Sequence, residues 1–512
     1  MTQRTRLSYV FIVASIVIVA AYMRFHSLNS NPPGFFTDEA AIGYNSFKIL
    51  TTGKDEYGVR LPLFFKSYGD YRLPLPIYLN IPSIILLGPT DFAVRVTSAF
   101  VGTLTVIIVM VSVWVWLGRW EGIGSGLSMA IMPWHIHMSR WGSEYVYFPF
   151  IFSSGLLFLV LFHKTQRQAY LLVGVVFLSV SMYTYYPAII VVPLFLLFTF
   201  ALLLVQSRAR SKPLLPFTLS FALFFILIVP ILSSLQSGEL ITRWNSVGGS
   251  QLDLSSQTVG RFVQLYIKHF EPRFLFVWGD QELRHAVQRY GELHLFQAVF
   301  VVLGILYILW RRRSMLSLVM VFLLMLYPVG SAITFDRLAT RSVIGVIPFS
   351  VASGIGIGWF IRSIARIPSI WIRILGVTVF CSVLMLNMST FAKALFVEYP
   401  KYAGTWDGYQ YGFKQAMQYC IQHGEKYDDC LITHRFNQGA GLLRYYGVTI
   451  DCTKCALHPN PIKIDKTRKQ LFFIRDKDVE EAKMIYPELT FSVVGDIVDP
   501  SGRTELKAGY FR

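Results

Sequence analysis

Leu7-Ser-Tyr-Val-Phe-Ile-Val-Ala-Ser-Ile-Val-Ile-Val-Ala-Ala-Tyr-Met23 is an apolar run, and Asn31-Pro-Pro-Gly-Phe-Phe-Thr-Asp-Glu-Ala40 follows it closely. The first stretch approaches the roughly 20 residues needed to cross a hydrocarbon core about 30 Å thick. The second puts an acidic pair, Asp38-Glu39, where a helix has just left the bilayer. That pair has two readings. Thr37 can cap a helix whose first turn welcomes Asp and Glu. Alternatively, Asp38 acts as a catalytic base at a membrane surface. No small-residue cleavage site follows the first span, so it reads as a retained anchor.

The apolar pattern recurs along the chain. Hydrophobic residues make up 54% of its 512 positions and aromatics 15%. Further runs fall at about 92–117, 122–138, 147–163, 168–184, 186–206, 214–234, 293–310, 315–333, 341–361 and 368–391. The chain is therefore expected to be a polytopic α-helical membrane protein of about eleven spans. Its net charge of +17 does not point to nucleic acid, because basic tails and aromatic-interleaved basic patches are absent. The cations gather in short turns: Arg4 and Arg6, Arg119, Lys164 and Arg167, Arg208, Arg210 and Lys212, Arg311 to Arg313, Arg362 and Arg366. Glu121 is the one acid among them, which is a positive-inside pattern. The N-terminus is thus expected in the cytoplasm, in a plasma or inner membrane. Segments 24–91, 235–292 and the tail from about 392 then face outward.

The tail, 392–512, reads as a soluble extracytoplasmic α/β domain beside a membrane domain of residues 1–391. Leu431-Ile-Thr and Leu471-Phe-Phe-Ile look like strands; Tyr411 to His423 and Val479 to Tyr486 look helical. Cys420, Cys430, Cys452 and Cys455 all fall here and suggest disulfides, with three pairings open. Cys452-Thr-Lys-Cys455 is alternatively half of a zinc site. His135-Ile-His137 is a second weak metal motif, since a site needs further ligands.

The outward segments hold the chemistry. The first loop is rich in Gly, Pro and Tyr, which argues against disorder, and is expected to form short helices along the membrane surface. Pro76 to Leu87 is apolar but short, so it reads as interfacial. Arg140 and Glu144 are spaced i, i+4 at a membrane boundary. The loop 235–292 carries His269-Phe-Glu-Pro-Arg273 and Asp280-Gln-Glu-Leu-Arg-His285, and reads either as a solvated outer segment or as a lid meeting anionic groups. The turn Phe335-Asp-Arg-Leu-Ala-Thr-Arg341 places two arginines where an outer turn should have few.

Five motifs in order resemble the multi-span glycosyltransferases that use polyprenyl-phosphate sugars as donors. That group includes dolichyl-phosphate-mannose protein mannosyltransferases and the aminoarabinose transferases of lipid A. The motifs are Asp38-Glu39, Arg72-Leu-Pro-Leu-Pro-Ile-Tyr78, Pro133 through Ser139-Arg140 to Glu144, Tyr290-Gly-Glu-Leu-His-Leu-Phe-Gln297, and Arg341 ahead of Pro348. Leu73 stands where the pattern has proline, Glu144 where it has Asp, and Ser342 where an aromatic often follows. The resemblance covers roughly residues 1–390.

It implies a GT-C-like fold and transfer of a hexose or pentose from a polyprenyl-phosphate carrier to a protein, lipid or glycan hydroxyl. It assigns Asp38 as base, with Glu39 second, and Arg72 and Arg341 as the phosphate cradle, with Arg140 and Lys66 as further candidates. Glu144, Tyr71, His269 and Arg284 become candidate substrate contacts. Arg72 and Arg341 can instead snorkel to lipid headgroups. Phosphate is a good leaving group, so one carboxylate suffices where glycoside hydrolysis needs two. No cofactor is demanded, although a divalent cation is compatible with the chemistry. The rival class, a transporter or flippase of lipid-linked sugars, should show inverted repeats and ionisable residues within the spans. No repeat is visible, and the charges sit at span ends and in loops.

Overall fold

The computed structural model describes residues 3–209, 215–246, 255–311, 314–334, 338–406 and 408–512. Arg210, Lys212, Arg312, Arg313, Asp336 and Arg337 of the turns above lie outside the described residues.

Helices dominate up to residue 403. They are α1 (Gln3–Phe25), α2 (Thr37–Thr52), α3 (Leu75–Leu87), α4 (Asp91–Leu117), α5 (Arg119–Ile131), α6 (Pro133–Arg140), α7 (Tyr147–Thr165), α8 (Gln168–Ser181), α9 (Ala188–Ala209) and α10 (Leu215–Gln236). Then come α11 (Glu239–Ser246), α12 (Ser256–Lys268), α13 (Gln297–Trp310), α14 (Met315–Leu326), α15 (Val329–Ala332), α16 (Val346–Arg366), α17 (Ile370–Lys393) and α18 (Tyr399–Ala403). Among the described residues eight helical segments are long and apolar enough to cross a membrane; α8 and α13 are apolar but shorter. Eight of the eleven expected spans coincide with these long segments; those expected at 122–138, 168–184 and 293–310 fall on shorter helices, and two of the eleven are interrupted. The span expected at 122–138 breaks at Met132, because Pro133 opens a new helix at its first position. Pro328 likewise separates α14 from α15.

By contact density the chain forms two compact units. One comprises residues 1–26, 63–76 and 98–392; the other comprises 27–62, 77–97 and 393–512.

Within the first unit, small residues let backbones approach. Gly124 on α5 has no room for a Cβ against the Gly354 carbonyl of α16, and Gly304 on α13 meets the Ala352 carbonyl in the same way. Close packing of this kind drives helix association in lipid, where the hydrophobic effect between helices is lost. α17 exposes Trp371, Leu375, Val379, Met385 and Leu386 around its circumference, the pattern of a span facing lipid. The loop after α1 holds more than the surface helices expected of it. Strands β1 (Phe65–Ser67) and β2 (Asp70–Arg72) form an antiparallel hairpin. Tyr68 and Gly69 turn it with φ values of 51° and 91°, as a two-residue hairpin requires.

The C-terminal part of the second unit is an α/β fold. Its strands are β3 (Asp429–Ile432), β4 (Cys455–Leu457), β5 (Gln470–Ile474), β6 (Phe491–Val498) and β7 (Thr504–Phe511), in the order β4-β3-β5-β7-β6. β3 pairs parallel with β4 and β5; β7 is antiparallel to both β5 and β6. The helices are α19 (Phe413–His423), α20 (Gly439–Ile450) and α21 (Asp476–Ile485). The core gathers Leu431, Ile462, Phe472, Ile474 and Ala482. Disulfides join Cys420 to Cys430 and Cys452 to Cys455. Their sulfurs are therefore not thiolates, which removes the half-zinc reading of Cys452 and Cys455.

Candidate active site

Asp38 and Glu39 occupy the first turn of α2, and the two carboxylates have different surroundings. Thr37 is the first helical residue, not the cap, and the preceding Phe36 makes no side-chain capping bond. Glu39 does that work: its carboxylate accepts the Phe36 backbone N–H at 3.0 Å. It is fully buried and pairs with Arg95 of α4 through both oxygens, at 2.8 and 3.0 Å. Arg95 also donates to the carbonyls of Pro32 and Gly34, each at 2.7 Å. Gly34 has φ +77° and a Cβ there would lie 2.5 Å from the Tyr409 carbonyl, so glycine is required. One buried bidentate pair thus fixes the approach of residues 32–34 to α2. Asp38, half-buried, stands next to this braced turn.

In the other unit the β1–β2 hairpin sorts its side chains by face. Cross-strand partners share a face, so Phe65 and Arg72 lie with Ser67 and Asp70, and Lys66 lies opposite with Tyr71. Arg72 reaches Glu144 at 3.6 Å and donates to Ser67 Oγ at 3.1 Å. Asp70 pairs with Arg243 of α11 at 2.6 Å. Tyr186 donates to the Tyr71 carbonyl and has Asp70, Arg243, Arg72 and Glu144 as charged neighbours. Tyr185 hydrogen-bonds Thr340 and sits among Arg341, Glu144 and Arg243. A cavity of about 410 Å³ opens here, lined by Tyr185, Tyr186, Arg243, Arg341 and apolar side chains such as Ile190 and Leu240.

The turn carrying Arg341 is pinned from both sides. Asp280 accepts the Ala339 N–H at 2.7 Å, and Trp134 donates to the Ala339 carbonyl at 3.0 Å. Burial alone would raise the Asp280 carboxyl. Hydrogen bonds from His285 and from the backbone of Glu282 and Ala339 outweigh it and hold the group below its ordinary range. Arg341 donates to Thr334 Oγ1 at 2.6 Å.

The structure therefore gathers Arg72, Glu144, Arg341 and the Tyr71 backbone. The other candidates in this unit lie elsewhere. Lys66 is exposed on the opposite face of the hairpin. Arg140 is buried and donates to the Met23 and Arg24 carbonyls, capping the end of α1. His269 is buried, with its ring on the Leu265 carbonyl. Arg284 offers its carbonyl to His137 at 2.7 Å, and His135 contacts Arg24 at 2.7 Å. Among the described residues neither His135 nor His137 belongs to a trio of metal-ligating side chains.

Arg95, Arg243, Asp70 and the two tyrosines were not foreseen as site residues. Asp91 and Arg95, four apart at the head of an apolar helix, were a readable signal. Arg243 was legible only as one of several cations in the loop 235–292, because its partner Asp70 is distant in the chain.

Comparison with known proteins bears on the fold. The family model for dolichyl-phosphate-mannose-protein mannosyltransferase matches residues 74–233. No curated protein matches the chain significantly by sequence. The apo oligosaccharyltransferase of Archaeoglobus fulgidus aligns with a TM-score of 0.56 at 13% identity, over 89% of this chain and 65% of that one. This chain thus spans just under two thirds of that protein's length. Apo ArnT from Cupriavidus metallidurans aligns with a TM-score of 0.54 at 14% identity, over 100% of this chain and 98% of that one. The same ArnT bound to undecaprenyl phosphate gives 0.54 at 12% identity, over 98% and 97%. The chain is a multi-pass helical membrane protein with a C-terminal α/β domain, and it shares its fold with these two proteins.

Proposed function

We propose that the protein transfers a hexose or pentose from a polyprenyl-phosphate carrier to an acceptor hydroxyl at the non-cytosolic membrane face. The observation that carries this reading is the cavity bearing Arg243, Arg341 and two tyrosines, with the Arg72–Glu144 pair among its charged neighbours. A cavity with apolar walls and guanidinium groups suits a lipid phosphate. The shared fold, the match to the mannosyltransferase model, and the binding of undecaprenyl phosphate by ArnT support the same donor class.

In the reaction the acceptor oxygen attacks the anomeric carbon while the bond from that carbon to the phosphate oxygen breaks. The acceptor proton passes to Asp38. The leaving group is the polyprenyl phosphate, whose charge grows from one to two as a diester becomes a monoester. Arg72, Arg243 and Arg341 answer that growth, and no acid is needed. Direct displacement inverts the anomeric centre. Glu39, committed to Arg95, acts as a positioning residue behind Asp38. The acceptor is a protein, lipid or glycan. In this reading residues 392–512 face the non-cytosolic side and the N-terminus is cytoplasmic. A divalent cation is compatible with this scheme but is given no step in it.

Purified protein in proteoliposomes, supplied with radiolabelled polyprenyl-phosphate mannose or aminoarabinose and mixed acceptors, tests the class. Acceptor-bound label with release of polyprenyl phosphate supports transfer. Redistribution of intact donor between leaflets, with no release, overturns it in favour of a flippase.

A further inference from the structure

We propose a divalent transition-metal site in the C-terminal α/β domain, formed by His434, His458 and Asp478 and suited to zinc. One ligand atom from each of the three side chains lies within 4.8 Å of the other two. Nδ1 of His434 lies 3.5 Å from Nδ1 of His458, which brings the two rings together. None of these residues belongs to the transfer site proposed above, and the inference does not rest on it.

The chain brings the three together from separate elements. His434 follows β3, His458 follows the neighbouring parallel strand β4, and Asp478 lies in the first turn of α21, just after β5. The ends of β3, β4 and β5 therefore converge on one point. Two imidazoles with a carboxylate form a donor set that zinc takes readily, leaving a fourth position for water or a ligand. His434 is half-buried and lines an open cavity of about 760 Å³, so an ion has a way in.

His458 supplies the observation that points to a ligand. Its ring is buried, at 1% exposure. Nδ1 lies 2.9 Å from the Pro459 carbonyl. A proton on Nδ1 is donated to that carbonyl, and Nε2 then keeps a lone pair. That Nε2 is buried and has no hydrogen-bond partner. An imidazole whose one N–H goes to a backbone carbonyl while its other nitrogen stays bare is the usual state of a metal-ligating histidine. Asp478 is compatible with the role. It accepts from Arg435 Nε on one oxygen and from the Arg475 N–H on the other, but a carboxylate has about four lone-pair sites. Arg435 also pairs with Glu481 at 2.7 Å, so its charge is shared.

Zinc stoichiometry tests the site. The full-length chain, with its affinity tag removed, is dialysed against chelator, loaded with zinc chloride and passed through gel filtration before elemental analysis. The wild type is expected to retain one equivalent more than His458→Ala and one more than His434→Ala. His423→Ala should equal the wild type. His434 is half-buried, so its variant keeps the test open if His458→Ala misfolds. Loss in either variant that still elutes as a monodisperse peak supports the site. A wild type that retains no zinc, or folded variants that retain as much as it does, overturns the proposal.

Discussion

Asp38 and Glu39 are neighbours in sequence with opposite fates. Glu39 is buried, bidentate to Arg95, and closes the first turn of α2. Removing one partner of such a pair strands a buried charge, a loss of about 3–5 kcal/mol. Glu39→Ala is therefore expected to lower the thermal unfolding temperature strongly in detergent. A shift within error would show that Arg95 finds another partner. Asp280 gives a second prediction, in pH. Its carboxyl is held below the ordinary value, so its contribution is complete above the unfolded value near 4 and is lost as pH falls through the lower folded value. Asp280→Asn should cost about 1.5–3 kcal/mol near neutrality. The gap should persist down to about pH 4 and close only below it. A gap that closes between pH 7 and 5 would show that the Asp280 carboxyl is held above, not below, its ordinary value.

The β1–β2 hairpin was the element least legible in advance. Lys66-Ser-Tyr-Gly-Asp-Tyr-Arg72 offers only a Tyr-Gly turn and three-residue strands, too short for alternation to register. Once formed, the ladder separates Arg72 from Lys66 by face, which one-dimensional spacing could not do. Arg72→Ala should weaken polyprenyl-phosphate binding tenfold or more, since a charge-assisted bond contributes about 1.5–3 kcal/mol. Lys66→Ala should leave binding within twofold, as read by competition with a labelled prenyl phosphate. Equal losses in the two would move the phosphate to the other face. The spans, by contrast, were legible because a twenty-residue apolar run has few alternatives. Their breaks at Met132 and Pro328 followed from proline chemistry. In the tail, β3 and β5 were visible as compact apolar runs. β6 and β7 were not, since β6 exposes Val493, Val494 and Val498 and carries a bulge near Gly495.

For the whole molecule, the polytopic class and the C-terminal α/β domain could be read from hydropathy and cysteine placement. The grouping of residues 27–62 and 77–97 with the tail could not, because it depends on distant partners such as Asn31 with the Leu395 carbonyl and Asp91 with Lys414. The disulfides offer a ranked prediction. The Cys420–Cys430 bridge spans 10 residues and Cys452–Cys455 spans 3. In the chain-entropy account they contribute about 3 and about 2 kcal/mol. Replacing the first pair by alanines should therefore cost more than replacing the second, measured by tryptophan fluorescence in denaturant. The reverse order would show that strain or packing outweighs loop length.

The transfer mechanism asks one carboxylate to take a proton while arginines hold a phosphate. Single-turnover release of polyprenyl phosphate by Asp38→Asn, with donor binding measured in the same preparation, tests this most directly. The account predicts a fall in rate of about 10²–10⁴-fold with donor affinity unchanged. A variant that turns over at the wild-type rate, or one whose defect lies wholly in donor binding, would contradict it.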